Sequence, residues 1–377
     1  MFVALVALFF CYALSCFWLI TRWLLITKRP ARSDLPPHLV LTVVIPARNE
    51  AANIGLLLDD LLQQTLAKNQ FEIIVANDAS TDDTALIVSQ FQAKNDLNVT
   101  LLSLPDLPTA APKKRAITES LHIANGALIV TTDGDCRVGK RWLETIAQTY
   151  AQTGAKMISG PVVLVGQERG HLFDTFQTIE FSSLIGAGAC LIEAGFPTMC
   201  NGANLAYERA AFEAVGGYAN IDHLASGDDE LLMQKIAQRF PQQIVFLKNR
   251  EAIVRTAPQP TWQAFYQQRV RWGSKWNVNR RMATMAVAVF VFFVNSSVIL
   301  SITAAAVGYL ETKHLLFILA LKYVPEFLFL TLIIRFLGQN KKIIYIPLVQ
   351  LFYPFYVLFF GVAAQRKSYV WKNRSLQ

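Results

Sequence analysis

Charge is scarce in this 377-residue chain: Asp, Glu, Lys and Arg make up 16% of it, hydrophobic residues make up 53%, and mean hydropathy is +0.33. That balance excludes a wholly soluble enzyme. The cysteines number five, Cys11, Cys16, Cys136, Cys190 and Cys200, and none forms a C-x-x-C pair. An odd, widely spaced set offers no zinc site and fits reduced thiols. No G-x-G-x-x-G and no G-x-x-x-x-G-K-[ST] follows a candidate strand, which argues against a dinucleotide-dependent oxidoreductase and against a P-loop enzyme. The net charge is +8 with a pI near 9.2, yet the middle of the chain lacks a basic stripe with interleaved aromatics, so nucleic acid is not the expected partner. Internal repeats and low-complexity tracts are also missing.

What is present first is apolar length. Phe2 to Thr21, Ala283 to Leu310 and Ile343 to Ala364 carry no charge, and each matches the roughly 20 helical residues that cross a hydrocarbon core. Leu315 to Ile334 is a fourth candidate, interrupted by Lys322, Pro325 and Glu326. Lys322 and Glu326, four apart, can pair on one helix face. The first segment lacks a basic start and is too long for a signal peptide core, so it reads as a retained anchor. Lys28, Arg29 and Arg32 follow it, and Arg269, Arg271, Lys275, Arg280 and Arg281 precede the second block. Positive charge favours the cytoplasmic side, so the middle domain is expected in the cytoplasm, tethered at both ends to a multi-pass protein of the inner (plasma) membrane. If both last segments crossed, the tail with Arg366, Lys367, Lys372 and Arg374 would end outside, against that rule. One of the two is therefore expected to be re-entrant or interfacial, and Pro347 and Pro354 leave the choice open.

Between Leu39 and about Pro260, short β-rich runs alternate with helical patterns. LVLTVVIP, FEIIVAND, NVTLLSL and ALIVTTDGDC read as strands, separated by helices beginning near Ile54, Ser80 or Thr81, and Pro112. That alternation implies parallel βαβ units in a doubly wound α/β sheet, whose ligands bind beyond the carboxyl ends of the strands. Arg48, Asn49 and Glu50 follow the first strand, Asn77 and Asp78 close the second, and Asp133 and Asp135 follow the fourth. In an extended chain, residues two apart face one side, so the last pair can aim two carboxylates at one object, which Gly134 lets close to the backbone. The competing reading is a polar turn. Asp228, Asp229 and Glu230 open an amphipathic helix, where dipole stabilisation alone would explain acids. From Thr261, Trp262, Phe265, Tyr266, Arg269, Gly273 and Trp276 share a helix face beside basic residues, as in an interfacial helix. The expected organisation is an anchor (1–27), a cytosolic domain (28–260), an interfacial helix (261–282) and a C-terminal membrane region (283–377).

With those residues in place, the chain resembles family 2 glycosyltransferases of the membrane-bound, inverting kind, related to cellulose, chitin and hyaluronan synthases and to ceramide glucosyltransferase. VVIPARNEAANI is similar to the family's first nucleotide-binding strand and loop, IIVANDASTDDT to its second, and PKKRA to its lysine segment. TTDGDC resembles its D-x-D, GANLAY its acceptor-side loop, SGDDE its catalytic-base segment and QQRVRW its Q-x-x-R-W. Ala79 stands where the family usually has Gly, and Asp228 where Glu usually precedes the base.

The resemblance implies a GT-A-type, Rossmann-like fold with flanking transmembrane helices, a nucleotide-diphosphate sugar as donor and Mg2+ or Mn2+ as cofactor. Pro46, Arg48, Glu50, Asp78, Lys113, Asp133, Gln268 and Arg271 would bind the nucleotide-sugar, with Asp135 on the metal and Asp133 sharing it or holding sugar hydroxyls. Asn201, Gly202, Asn204 and Trp272 would face a lipid or lipid-linked saccharide acceptor, with Asp229 or Asp228 as general base. Few membrane segments favour addition of one or a few sugars over a processive synthase. The four acids of the site weigh against an inactive membrane scaffold or nucleotide sensor.

Overall fold

A computed structural model describes residues 2–27, 35–36, 38–107, 109–166, 171–273, 282–363, 369–371 and 374–376. Of the junction charges named above, Lys28, Arg29, Arg32, Lys275, Arg280, Arg281, Arg366, Lys367 and Lys372 lie outside the described residues, as does Trp276. The chain divides into two compact units, a sheet unit of Ile26–Val165, Leu191–Pro258 and Val370–Gln377, and a helical unit of Met1–Leu25, Gly166–Cys190 and Gln259–Tyr369.

In the sheet unit the elements run β1 (Leu41–Ala47), α2 (Ile54–Leu62, α1 being Phe2–Leu25), β2 (Phe71–Asp78), α3 (Thr84–Lys94), β3 (Val99–Leu104), α4 (Pro112–Ile123), β4 (Leu128–Thr131) and α5 (Trp142–Thr153). After β5 (Met157–Ser159) and β6 (Val162–Leu164) the chain leaves the unit, as α6 (Leu172–Glu193), and returns for β7 (Leu205–Glu208), α7 (Arg209–Ala214), α8 (Glu230–Arg239), β8 (Ile244–Phe246) and β9 (Val254–Thr256). Seven strands pair in the order β3-β2-β1-β4-β7-β5-β8. All neighbours are parallel except β7, which runs antiparallel to β4 and β5. This is the mostly parallel, helix-flanked α/β sheet expected from the sequence.

The strands are continuous apolar runs because helices cover both faces; all eight residues of β2 are buried. One polar exception closes the sheet at its amino end. Thr42 donates to Glu72 Oε1 at 2.6 Å, and Glu72 also accepts from the Asn125 backbone (2.6 Å) and side-chain amide (2.9 Å). Burial would raise the Glu72 carboxyl, but these donors outweigh it and hold the group below its usual value. Gly126 sits in the same turn, where a Cβ would come within 2.5 Å of the Thr42 nitrogen, so only glycine lets the turn cross β1.

The helical unit holds α1, α6, α9 (Trp262–Gly273), α10 (Met282–Ala306), α11 (Thr312–Phe336) and α12 (Ile346–Ala363). Five helices among the described residues are long and apolar enough to cross a membrane. Four occupy the segments expected from the sequence. The fifth, α6, does not stand out by composition, because Asp174, Glu180 and several Thr and Gln residues dilute its apolar content. Its Gly186 lets α11 approach closely, since a Cβ there would meet Ile333 at 2.6 Å, and Ile179 packs with Leu330, Ile334, Ile346 and Val349. The pair anticipated from spacing forms as well: Lys322 Nζ lies 2.6 Å from Glu326, with the lysine fully buried. Two short strands, β10 (Tyr369–Trp371) and β11 (Arg374–Leu376), end the chain.

Candidate active site

Beyond the carboxyl ends of β1, β2 and β4, three loops and two helix starts converge in the sheet unit. Asp78 is the last residue of β2, and the chain turns sharply after it, with Ala79 at φ 50° and Asn49 at φ 54°. Both are left-handed, a conformation that costs an alanine roughly 1 kcal/mol or more. That accounts for the glycine the family usually has at position 79. The turn is fixed by Arg48, whose Nη1 donates to the carbonyls of Asp78 (2.6 Å) and Ala79 (3.1 Å), and by Asn49 Oδ1, which accepts from Thr81 N at 2.9 Å. Arg115, from the first turn of α4, pairs with the buried Asp78 carboxylate. Arg48 Nε and Arg115 Nε are buried with no hydrogen-bond partner among the described residues.

The consecutive cations of PKKRA separate by role. Lys114 is buried and donates to the carbonyls of Ile221 (2.6 Å), Leu224 (2.9 Å) and Ser226 (2.9 Å), which shapes the loop leading into α8. Lys113 bridges the two acidic segments, with Nζ 2.7 Å from Asp133 and 3.1 Å from Asp228. Burial by itself would push this ammonium down, but Asp133, Asp228 and Asp229 outweigh it and hold it above the usual lysine value. Asp229 caps α8, one oxygen accepting from Glu230 N at 2.7 Å and the other from Gly202 N at 3.2 Å. Gly202 is packed tightly: a Cβ there would lie 2.9 Å from Asp228 Oδ2 and 3.1 Å from Lys113 Nζ. Thr131, the last residue of β4, donates to the Gly202 carbonyl at 2.8 Å and so ties this loop to the sheet.

Asp133 and Asp135 follow β4 in a turn, closed by Cys136 N donating to the Asp133 carbonyl at 3.1 Å. The strand geometry expected for D-G-D is corrected here, because β4 ends at Thr131 and the turn brings the acids together. Asp133, Asp135 and Cys136 each offer a ligand atom, all within 4.8 Å of one another. Burial first, then Asp135 and Asp133, push the Cys136 thiol well above its usual value, so it stays protonated and the hard carboxylate oxygens are the candidate ligands. Such a donor set fits Mg2+ or Mn2+. Asp135 is exposed, and Thr256 Oγ1 lies 3.3 Å from its carboxylate. Glu50 packs over Gly134, where a Cβ would meet its Cγ at 2.9 Å, and accepts from Asn53 Nδ2 at 3.1 Å. Pro46 is half-buried near the end of β1.

Asn201 caps the short turn 202–204 by accepting from Ala203 N at 2.9 Å. Asn204 differs. Its Oδ1 accepts from Trp142 Nε1 at 3.0 Å, and its Nδ2 donates to the carbonyls of Pro161 and Ala252, each at 2.8 Å, with the residue 1% exposed. The acceptor-facing role expected for Asn204 is corrected: its amide joins three parts of the scaffold.

Gln268, Arg271 and Trp272 belong to the helical unit, on α9. Their buried neighbour Arg269, which motif reading passes over, donates to Glu180 and, at 3.0 Å, to Tyr356, while Tyr356 donates to Glu180 at 2.8 Å. Arg269 also donates to Gln268 Oε1 and stacks 4.2 Å from the Trp272 ring centre. Arg115, Lys114 and Thr256 are polar residues near the motifs that sequence reasoning left without a role, and Arg269, expected among the junction charges, is instead buried against Glu180. Only the basic run PKKRA hinted at the first two.

Comparison with known proteins follows this geometry. Residues 42–216 match the family Glycosyl transferase family 2. The chain is 28% identical over 192 residues to glycosyltransferase AglE of Haloferax volcanii, covering 50% of this chain and 58% of that protein. It is 27% identical over 243 residues to "Probable glycosyltransferase YdaM" of Bacillus subtilis, covering 62% and 54%. The matches thus span little more than half the length of these curated relatives. Among solved structures, mannosyltransferase PcManGT from Pyrobaculum calidifontis, in complex with GDP-Man and Mn2+, superposes with a TM-score of 0.60 at 22% identity over 93% of this chain and 97% of that one, which is a likeness of fold. Residues 42–216, which carry Asp78, Lys113, Asp133 and Asp135, are thus similar to glycosyl transferase family 2, while Asp228 and Asp229 lie beyond the matched segment.

Proposed function

We propose that the protein transfers a sugar from a nucleoside-diphosphate donor to a hydroxyl of a lipid or lipid-linked saccharide at the cytoplasmic face of the plasma membrane, with inversion at the anomeric carbon. The observation that carries this reading is the Lys113 bridge, which brings the acids after β4 and the acids before α8 to one place beyond the sheet. The match of residues 42–216 to glycosyl transferase family 2 supports the reaction class, and the apolar helices support an acceptor at a membrane.

In the proposed step, Asp229 takes the proton of the acceptor hydroxyl as the oxygen attacks the anomeric carbon, and the bond from that carbon to the diphosphate oxygen breaks on the opposite face. The donor leaves as a nucleoside diphosphate, and a single displacement inverts the stereochemistry. General-base help of this kind contributes about 10²- to 10⁴-fold. Asp228, already paired with Lys113, holds the ammonium beside the site; this favours Asp229 over Asp228 as the base. A bound Mg2+ or Mn2+ would be held by Asp135 with Asp133, supplying positive charge to the departing diphosphate. Asp78 and the unpartnered Nε–H donors of Arg48 and Arg115 suit a nucleoside, whose base and ribose offer both donors and acceptors. Arg271 offers a planar fork of donors for phosphate oxygens, and Trp272 a flat apolar wall for the acceptor.

The test is transfer itself. Full-length protein in liposomes, given a panel of labelled nucleotide-sugars and membrane lipid extract, should move label from one donor into the lipid phase. Excess EDTA should abolish this by at least about 100-fold, with recovery on adding Mn2+ or Mg2+. Label that stays in the aqueous phase across the whole panel, or transfer that is indifferent to EDTA, would contradict the reading at the acceptor or the metal respectively.

A further inference from the structure

Charge counting leaves open which of the last two apolar segments fails to cross the membrane, and the packing of the helical unit answers it. Helices α1 and α11 lie side by side and parallel. Phe2 stacks on His314 at 3.9 Å, Tyr12 donates to Glu326, and Trp23 meets Phe336 at 5.2 Å. The chain enters the sheet unit directly after α1, at Ile26. Helix α11 therefore ends on the same side of the bilayer as α1, the side on which the chain continues at Ile26. Helix α10 begins shortly after α9, which leaves the sheet unit at Pro258, so it crosses away from that side and α11 returns.

Helix α6 cannot be a simple span. The strands before it, β4 and β5, and the strand after it, β7, interleave in one sheet, so both flanks of α6 lie on one side. Helix α12 meets α6 near its beginning and the start of α9 near its end, and that start of α9 in turn packs on the start of α6. Near its beginning, Lys342 Nζ donates to Thr178 Oγ1 at 2.6 Å, and Ile346 and Val349 pack with Ile179. Near its end, Phe359 and Phe360 lie 6.3 and 6.2 Å from Trp262, which in turn lies 6.0 Å from Phe173. Phe173 and Thr178 are less than two turns apart, about 8 Å along α6, whereas the 18 residues of α12 measure about 27 Å. A helix whose beginning meets this short stretch directly, and whose end reaches it through Trp262, runs across an element flanked on one side only, within one leaflet.

We infer that the chain crosses the bilayer three times, through α1, α10 and α11, and that α12 lies in the leaflet at which α1 and α11 end, with lipid acyl chains as the partner of its outer face. That face carries Leu348, Leu351, Phe352, Phe355, Phe359 and Val362, each 41–65% exposed and recurring every three or four residues. Helices α1 and α10 also carry exposed apolar residues, among them Phe10, Leu14, Val289 and Phe293. The opposite face carries polar groups where it packs inward: Gln350 donates to the Tyr323 carbonyl at 2.9 Å and to Glu326 at 3.1 Å, and Tyr356 joins the Glu180–Arg269 pair. The inward face thus mixes Ile346, Val349, Pro354 and Phe360 with Gln350 and Tyr356, while the outward face is apolar, the reverse of what a surface helix presents to water, and it suits lipid. The basic tail then ends on the cytoplasmic side, as the charge rule requires. The inference stands independently of the transfer reaction.

Single cysteines at Tyr309, Asn340 and Ser368 (Tyr309→Cys, Asn340→Cys, Ser368→Cys) test it in sealed membrane vesicles whose outward unit is identified by protease digestion. With a membrane-impermeant maleimide, and signal taken above the unsubstituted chain, Asn340→Cys and Ser368→Cys should label on the side that exposes the sheet unit, and Tyr309→Cys only after permeabilisation. Labelling of Ser368→Cys together with Tyr309→Cys would overturn the inference. A second measurement uses nitroxides at positions 348, 355 and 362 in phosphatidylcholine–phosphatidylglycerol liposomes. Their immersion depths should agree within about 10 Å; a steady change of about 20 Å across them, the rise of a crossing helix, would equally overturn it.

Discussion

Lys113 gathers partners from two distant parts of the chain, and its charge is what lets Asp133, Asp228 and Asp229 stand close together. The ammonium is held above the usual lysine value, so its stabilising contribution is fully present below the unfolded lysine value near 10.4 and is lost only as pH rises through the higher folded value. The melting-temperature gap between wild type and Lys113→Met should therefore be flat from about pH 7 to 9 and close only above roughly pH 10.4. A gap that already closes near neutrality would show that Lys113 is not held by these acids. With its side chain 19% exposed, screening reduces the effect, and a stability loss of about 1–2 kcal/mol is expected, below that of a fully buried pair. The acids were legible in the sequence because carboxylates after strands point to the ligand edge of a parallel sheet. Their mutual arrangement was not, since the Lys113 bridge joins residues about a hundred positions apart. Asn204 shows the opposite failure: it lies among motif residues, but a fully buried amide is valuable to the scaffold, and sequence spacing does not distinguish the two uses.

Helices and strands in the first half were legible because each repeats a simple pattern: a β-rich apolar run, a polar loop, then helical spacing. Helix α6 escaped because its inner face carries Glu180, Thr178 and Gln177, which lower its hydropathy although they are buried. That polarity has a purpose in packing. Glu180 and Arg269 are 3% and 4% exposed and are joined by Tyr356, so α6, α9 and α12 meet through one charged group. Removing one partner strands the other charge, which costs about 3–5 kcal/mol, whereas removing both with apolar residues can be close to neutral. Glu180→Leu and Arg269→Met should each lower stability strongly in detergent melts, and the double variant should recover most of the loss, a coupling of at least about 2 kcal/mol. Additive losses would mean that the two residues act separately. Arg269 also contacts both Gln268 and Trp272, so the pair fixes the face of α9 on which those residues stand.

At the scale of the whole molecule, one unit is a mostly parallel sheet with its acids beyond the strand ends, and the other is a set of apolar helices. The chain passes between them repeatedly, since α6 is inserted between strands of one sheet and α9 follows directly from it. A division into successive domains was the natural reading of composition, because hydropathy is averaged along the chain whereas compact units form from segments far apart in it. The account rests on Asp229 acting as a base on the acceptor while other residues bind the donor. Turnover of the labelled nucleotide-sugar by Asp229→Asn in liposomes, paired with calorimetric titration of the nucleoside diphosphate, tests that division most directly. The account predicts turnover lower by about 10²- to 10⁴-fold with nucleotide affinity within about twofold of wild type; turnover near the wild-type rate would contradict it.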